Sequence, residues 1–331
     1  IGTTFWKYGD SEPYLNHCIV VGSCNDLQEV QNTCIQNYKC EARAMIAWSN
    51  LIQTEDPDIV TGYNIFGFDY PFMYTRSKEL NISSEFLKLS RNHNEICWKK
   101  DWKTNTYNIE ENTIIIASGQ HNLKFIKMNG RLNIDMYNYF RRDYTLMSYK
   151  LDYVSGYFIG DRVISYQHVG TNTKIVSKNL IGLDKGSYVI FEEESYTVDK
   201  YKNGEKFKVV QIVSNESIFY IQGNIDPDMK KKVRWGIAKD DVTPQDIFRM
   251  TNEGPKERYT IAKYCIQDCN LVHHLMNKID VITGYIEMSG LCSVPMDYLV
   301  MRGQGIKLTS YIAKKCREKG YLMPVLDKTL T

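Results

Sequence analysis

The sequence predicts a mixed α/β fold, and three observations carry it. An apolar strand-like run over residues 17–22 is followed by a helical repeat over 41–54 and a second strand over 58–63. Short β-type runs separated by Gly182, Gly186, Gly204 and Gly223 then fill about 164–235 and define a small β-rich insert. Finally, Pro255 opens the strongest helical pattern, running to about Asp280, and a last helix over about 305–319 stops at Gly320, a residue type that suits a helix C-terminus.

In the 41–54 segment Met45, Trp48, Leu51 and Ile52 recur at helical spacing. After the 58–63 strand, Pro71 fits a first helical turn, so Asp69 or Tyr70 is the expected N-cap of a helix ending near Leu80. The stretch 96–128 is rich in Asn, Thr, Lys and Trp and reads as loops or a long β-hairpin. Asn129-Gly130 is a tight-turn pair that leads into a strand over 131–135, and 148–158 looks helical. The strand pieces of the insert are expected at 174–176, 188–192, 207–213 and 217–221.

The chain has 331 residues, 43% hydrophobic and 24% charged, which excludes a disordered polypeptide. Its formal net charge of +2 does not mark a nucleic-acid binder by bulk electrostatics, so any such contact must come from local patches or a metal site. No apolar run approaches the ~18–20 residues of a membrane span, and no membrane association is expected. Nine Cys, with Cys18, Cys24, Cys34 and Cys40 spaced too widely for a zinc knuckle, point to reduced thiols. The sequence begins at Ile1 without a basic, apolar leader and ends at Thr331 just after an amphipathic segment, so it is expected to be a piece of something longer.

Two carboxylates stand out. On the Pro255 helix, Ile261, Cys265, Asp268, Val272, Leu275 and Ile279 share one face, which sets Asp268 on an apolar stripe with Tyr264 one turn away. A carboxylate there must be paired, protonated or bound to metal, and a structural pair with Arg or Lys is the plainer alternative. Asp69 follows a strand and enters a helix, at the sheet edge where α/β sites collect, although a simple capping role is the plainer alternative. Together they suggest carboxylates converging beside a sheet, as metal-assisted phosphodiester hydrolysis requires, but two are too few for a complete two-ion site. Asp135 reads as structural, His273-His274 as surface or core, and the run Asp228-Met229-Lys230-Lys231-Lys232 as a solvated loop or a phosphate contact.

Asp56-Pro57-Asp58-Ile59-Val60-Thr61-Gly62-Tyr63-Asn64-Ile65-Phe66-Gly67-Phe68-Asp69 closely resembles the second exonuclease motif of family B DNA polymerases. Tyr264-Cys265-Ile266-Gln267-Asp268 resembles the third, a Tyr-x-x-x-Asp helix, and 130–135 looks like the strand between them. Val294-Pro295, Tyr298-Leu299, Arg302-Gly303-Gln304 and Ile306-Lys307 look like the junction into the polymerase region. The resemblance is to the delta-type replicative enzymes, and the insert, with Lys178–Leu183 and Trp235-Gly236-Ile237-Ala238-Lys239-Asp240-Asp241, looks like those of large nucleocytoplasmic DNA viruses.

The resemblance implies an RNase H-like 3′→5′ exonuclease over 1–164 plus 236–280, the insert over 165–235, and the start of the polymerase palm region over 281–331. It implies Asp69 and Asp268 as metal ligands for Mg²⁺ or Mn²⁺, Tyr264 orienting the attacking water, and Asn64 and Phe68 contacting the 3′-terminal nucleotides. The stretch from about Glu95 to Met128 corresponds in the resemblance to a hairpin that helps separate primer from template. Single-stranded 3′ ends, primer–template DNA, a sliding clamp and accessory subunits are the implied partners, inside the cell, in a nucleus or at a viral replication site. Two motifs are missing: the Asp-x-Glu of the first exonuclease strand, expected upstream of Ile1, and Asp-x-x-Ser-Leu-Tyr-Pro-Ser, expected downstream of Thr331. The reading from a different class is a non-catalytic DNA-binding or scaffold domain of the same fold.

Overall fold

The computed structural model describes residues 1–26, 30–116, 119–239 and 242–323, and these divide into two compact units. Asp240, Asp241 and the end of the chain from residue 324 to Thr331, all used in the sequence reading, lie outside the described residues.

The first unit comprises 1–44 and 146–279. Gly2–Phe5 pairs antiparallel with Leu15–Val21, which pairs parallel with Thr33–Tyr38. The helix Pro255–Lys278 lies on this sheet, where Ala262 and Ile266 meet Cys18 in a small core. The approach is close enough that a Cβ on Gly2 would stand 2.9 Å from that of Cys265. Proline at the first turn starts the helix as expected. The buried face is Ala262, Ile266, Leu271, Val272, Leu275 and Met276; it shares Val272 and Leu275 with the stripe read in the sequence and is shifted by one residue in the first half of the helix. The sheet takes the small side chain of Ala262 in preference to Ile261, and Asp268 falls on the flank with 27% of its side chain exposed. The premise of a fully buried carboxylate is thus corrected.

The expected strand pieces lie in Asn172–Ser177, Tyr188–Glu194, Phe207–Val213 and Ile218–Gln222. With Gly160–Val169 and Lys232–Ala238 they form an antiparallel sheet that closes on itself, because Lys232–Ala238 pairs both with Gly160–Val169 and with Tyr188–Glu194. Closure leaves only the short strand Val198–Lys200, paired to Tyr188–Glu194 alone, at an edge among the described residues. Val163, Ile175, Val189, Phe191, Val209, Phe219 and Trp235 fill the interior. The lysine run at the end of the insert is held by ion pairs, Lys231 to Glu193 at 3.2 Å and Lys232 to Glu194 at 3.9 Å. The helix Leu151–Phe158 packs backbone to backbone on the last barrel strand, where a Cβ on Gly236 would stand 2.7 Å from the Gly156 carbonyl oxygen.

The second unit comprises 45–145 and 280–323 of the described residues. Its center is a parallel pair, Ile59–Gly62 with Leu132–Asp135. Phe66, Tyr70, Phe86, Phe125, Phe140 and Trp48, the last on the Glu41–Glu55 helix, supply its aromatic core. The segment expected as loops or one hairpin contains two: Lys99–Asp101 with Thr106–Asn108, and Glu110–Ile116 with Gly119–Phe125. Arg142, on the helix Met136–Asp143, donates to the Leu299 carbonyl at 2.5 Å and the Tyr285 hydroxyl at 2.9 Å, pinning the helices Val281–Cys292 and Met296–Met301. All nine cysteines are free thiols, and no helix among the described residues is long and apolar enough to cross a membrane.

Candidate active site

In the second unit the strand Ile59–Gly62 ends in a tight reversal. Asn64 adopts the left-handed conformation (φ 62°), which asparagine tolerates, and Ile65–Asp69 form a single π-type turn running straight into the helix Tyr70–Glu79. Gly67 lets the Asn64 side chain fold against the turn: a Cβ there would stand 2.4 Å from its side-chain oxygen and would displace it.

Asp135 holds this turn from across the sheet. Its carboxylate accepts from the backbone N–H of Asn64 at 2.8 Å, of Phe66 at 3.1 Å and of Tyr137 at 3.0 Å, and from the Asn138 amide at 2.9 Å. It therefore caps the Met136–Asp143 helix and clamps the turn at once. Burial pushes its pKa up to about 6, the four donors opposing that rise.

Asp69 is not the cap the sequence suggested. Its backbone is already helical (φ −63°, ψ −49°) and its side chain makes no capping hydrogen bond, because the π turn supplies the first helical turn in its place. Although part of the residue meets solvent, desolvation by the surrounding chain raises the carboxyl pKa. Phe68 beside it is 63% exposed and stacks in parallel on Phe72, with centroids 6.0 Å apart and planes at 7°.

In the first unit Tyr264 and Asp268 meet around a residue the sequence reading passed over. Lys239 follows the last barrel strand, and its ammonium lies 2.6 Å from the Asp268 carboxylate while donating to the Tyr264 hydroxyl at 2.7 Å. Both sides of its backbone are fixed: its N–H donates to Asp152 at 3.1 Å and its carbonyl accepts from Lys206 at 2.7 Å. Burial pulls the Lys239 pKa down, but the Asp268 charge and the two side-chain hydrogen bonds outweigh it and raise it overall. Burial raises the Tyr264 pKa, against the pull of Lys239. Only the lysine beside Asp240-Asp241 in sequence could have flagged this residue, since nothing in spacing links it to a helix 25 positions on. His273 and His274 stay apart from this cluster; His273 stacks on Trp6 at 3.8 Å, and His274 lies 3.3 Å from Asp184.

The structure thus gathers Tyr264, Asp268 and Lys239 in one unit, and Asn64, Phe68 and Asp69 in the other. Among the described residues, no three His, Cys, Asp or Glu side chains are grouped to hold a metal.

Compared with known families, the chain matches the exonuclease domain of DNA polymerase family B over residues 1–154. That match spans 154 of the chain's 331 residues. It is 45% identical over 339 residues to a DNA polymerase of Phaeocystis pouchetii virus, covering 100% of this chain and 32% of that protein. It is 36% identical to a DNA polymerase of Pyramimonas orientalis virus, covering 98% and 24%, and 24% identical to a DNA polymerase delta catalytic subunit of Glycine max, covering 96% and 21%. The chain therefore spans a third or less of the length of these curated relatives.

Proposed function

We propose that the chain is most of the 3′→5′ proofreading exonuclease region of a replicative, DNA-directed DNA polymerase, with an RNase H-like core over 1–164 and 236–280, the barrel as an insert, and 281–331 leading into the palm. The observation that carries this reading is the Lys239–Tyr264–Asp268 cluster, in a chain matched to the exonuclease family. Asp69 supports it, since its carboxylate is not used as a helix cap.

Mg²⁺ or Mn²⁺ suits the donors present: Asp69 and Asp268 offer hard carboxylate oxygens, and Asp268 already accepts a cation, the Lys239 ammonium at 2.6 Å. When bound, the ions would lower the pKa of water and stabilise the leaving oxygen. Two carboxylates are fewer than two ions need. We place the remaining ligands in an Asp-x-Glu strand outside this sequence; the strand Gly2–Phe5 pairs on one side only among the described residues and offers it an edge. Lys239 fixes the Tyr264 hydroxyl by donating to its oxygen, so the phenol is held for the attacking water. Phe68 presents an open ring face to a terminal base, and Asn64 shapes the turn beside it. Primer–template DNA, a clamp and accessory subunits are the partners of the whole enzyme.

The test is digestion of 5′-labelled single-stranded DNA by the whole polymerase with Mg²⁺ or Mn²⁺. Asp268→Ala should remove most of the ladder while DNA binding survives; undiminished digestion contradicts the assignment. The Lys239–Asp268 ion pair favours a second reading, a non-catalytic DNA-binding domain, and metal-independent binding without cleavage by wild-type polymerase would select it.

A further inference from the structure

The helix Met136–Asp143 is bonded at both ends, and only its first end touches the candidate site. There Asp135 caps the helix through the Tyr137 N–H and holds the turn that carries Phe68 and Asp69. Tyr63, just before Asn64, packs edge-on against Tyr137 with centroids 5.9 Å apart and planes at 69°, and its ring lies 6.4 Å from that of Phe140. Phe140 is fully buried, so turn and helix share one packed core.

At the far end Arg142 joins three segments. Its Nε and Nη2 fork onto the Asp143 carboxylate at 3.1 and 3.0 Å, which fixes the guanidinium plane. The remaining donors leave the helix. Nη1 donates to the Leu299 carbonyl at 2.5 Å, and Nη2 donates to the Tyr285 hydroxyl at 2.9 Å. Leu299 lies near the end of Met296–Met301, where carbonyls lack a helical partner, and Tyr285 is on Val281–Cys292. Tyr139 adds an edge contact to Tyr285, with centroids 5.9 Å apart and planes at 81°. Only 10% of the Arg142 side chain is exposed. The helix Met296–Met301 also lies against the strand Leu132–Asp135, whose last residue is the clamp.

A buried arginine is costly unless its donors are used, and apolar packing would serve stability as well. What the guanidinium adds is direction, because a planar fork takes its partners in one orientation. The eight-residue helix is short, roughly 12 Å at 1.5 Å per residue, and a bar held at both ends moves as one piece. The turn with Phe68 and Asp69 is thereby keyed to the helices Val281–Cys292 and Met296–Met301.

The form of the substrate decides when this matters. A free single strand diffuses to the turn and needs only the turn itself. A 3′ end released from paired DNA stays tethered to its duplex, so its effective concentration at the site depends on where the turn is held. We propose that Arg142 is a positioning residue that sets the turn for 3′ ends delivered from paired DNA, and that digestion of free single strands does not depend on it. The inference rests on the exonuclease reading, in which 281–331 leads into the polymerase region.

The test gives two substrates to the whole polymerase with Mg²⁺ and no nucleoside triphosphates. One 5′-labelled oligonucleotide is presented free, and the same oligonucleotide is presented annealed to a template that mismatches its 3′ end. Arg142→Ala should slow digestion of the annealed strand about fivefold or more and leave the free strand within about twofold of wild type. Tyr285→Phe keeps the ring and removes one acceptor; it should shift the same ratio about twofold, and it decides the matter if Arg142→Ala does not fold. A wild-type ratio in these variants, or a fall on both substrates in step with melting temperature, overturns the proposal and leaves Arg142 to stability alone. Wild-type polymerase that digests the free strand but not the annealed one also overturns it. Wild-type polymerase that digests neither overturns the exonuclease reading and this inference with it.

Discussion

Asp135 and Asp268 are the same residue type under opposite conditions. Asp135 is 2% exposed, and its carboxylate is saturated by three backbone amides and a side-chain amide. Asp268 is partly open and faces the Lys239 ammonium, with the Tyr264 hydroxyl beside it. The first is committed to the fold, because three of its four donors are backbone amides that cannot swing away. The second meets side-chain donors, which can exchange for an incoming cation where a backbone N–H cannot. Asp69 resembles Asp268 in this respect, as neither is consumed by a helix cap. On the proposed reading, what separates a structural carboxylate from a working one here is the kind of donor it faces more than depth alone.

The largest effect expected from this contrast is on stability. Asp135→Ala leaves the amides of Asn64, Phe66 and Tyr137 without their acceptor and should cost at least ~3 kcal/mol, read as a lower urea midpoint. Preserved stability would dissolve the distinction between the two aspartates.

Next comes an opposite response of the two units to pH. Folding raises the Asp135 pKa to about 6 from 3.8, so its contribution is fully present below about pH 4 and lost as pH rises through 6. Burial, with His274 adding to it, lowers the His273 pKa to about 4 from 6.5, so its contribution is present above pH 6.5 and lost as pH falls toward 4. Each is worth roughly 3 kcal/mol. Hydrogen exchange between pH 4.5 and 6.5, corrected for intrinsic rates, should show protection falling with pH around Asn64 and Asp135 and rising around His273. Parallel changes in both regions would refute it.

A smaller effect is expected at the barrel contact. Gly236→Ala drives a Cβ to 2.7 Å from the Gly156 oxygen and should cost ~1–3 kcal/mol by thermal unfolding. Smallest is Lys239→Gln, which removes the charge that holds Tyr264 and should slow digestion by about tenfold with little change in melting temperature.

Much of this was legible in the sequence. Helical spacing of Met45, Trp48 and Ile52, proline at the first turn of the 255 helix, and glycine-separated β runs located those elements to within a few residues. The strand Thr33–Tyr38 was missed because its outer half is exposed and polar, without alternation. The apolar stripe of the long helix holds at Val272 and Leu275 and is one residue off in the first half, because periodicity reports hydrophobicity while the sheet selects the small Ala262. The π turn at Ile65–Asp69 has no sequence signature beyond Asn64 and Gly67, so the sequence alone points to Asp69 or Tyr70 as a cap. Lys239 was invisible because a closed barrel, not helical spacing, brings it to Tyr264.

The most direct measurement sets activity against stability in the whole polymerase: initial rate of single-strand digestion and melting temperature for Asp69→Asn, Asp268→Asn and Asp135→Asn. Asp69→Asn and Asp268→Asn should lose about 100-fold or more in rate with melting shifts of no more than about 2 °C. Asp135→Asn should lower the melting temperature clearly and keep most of its rate when assayed below it. Full digestion by Asp268→Asn, or loss of rate only in step with loss of stability, would contradict the division of the carboxylates drawn here.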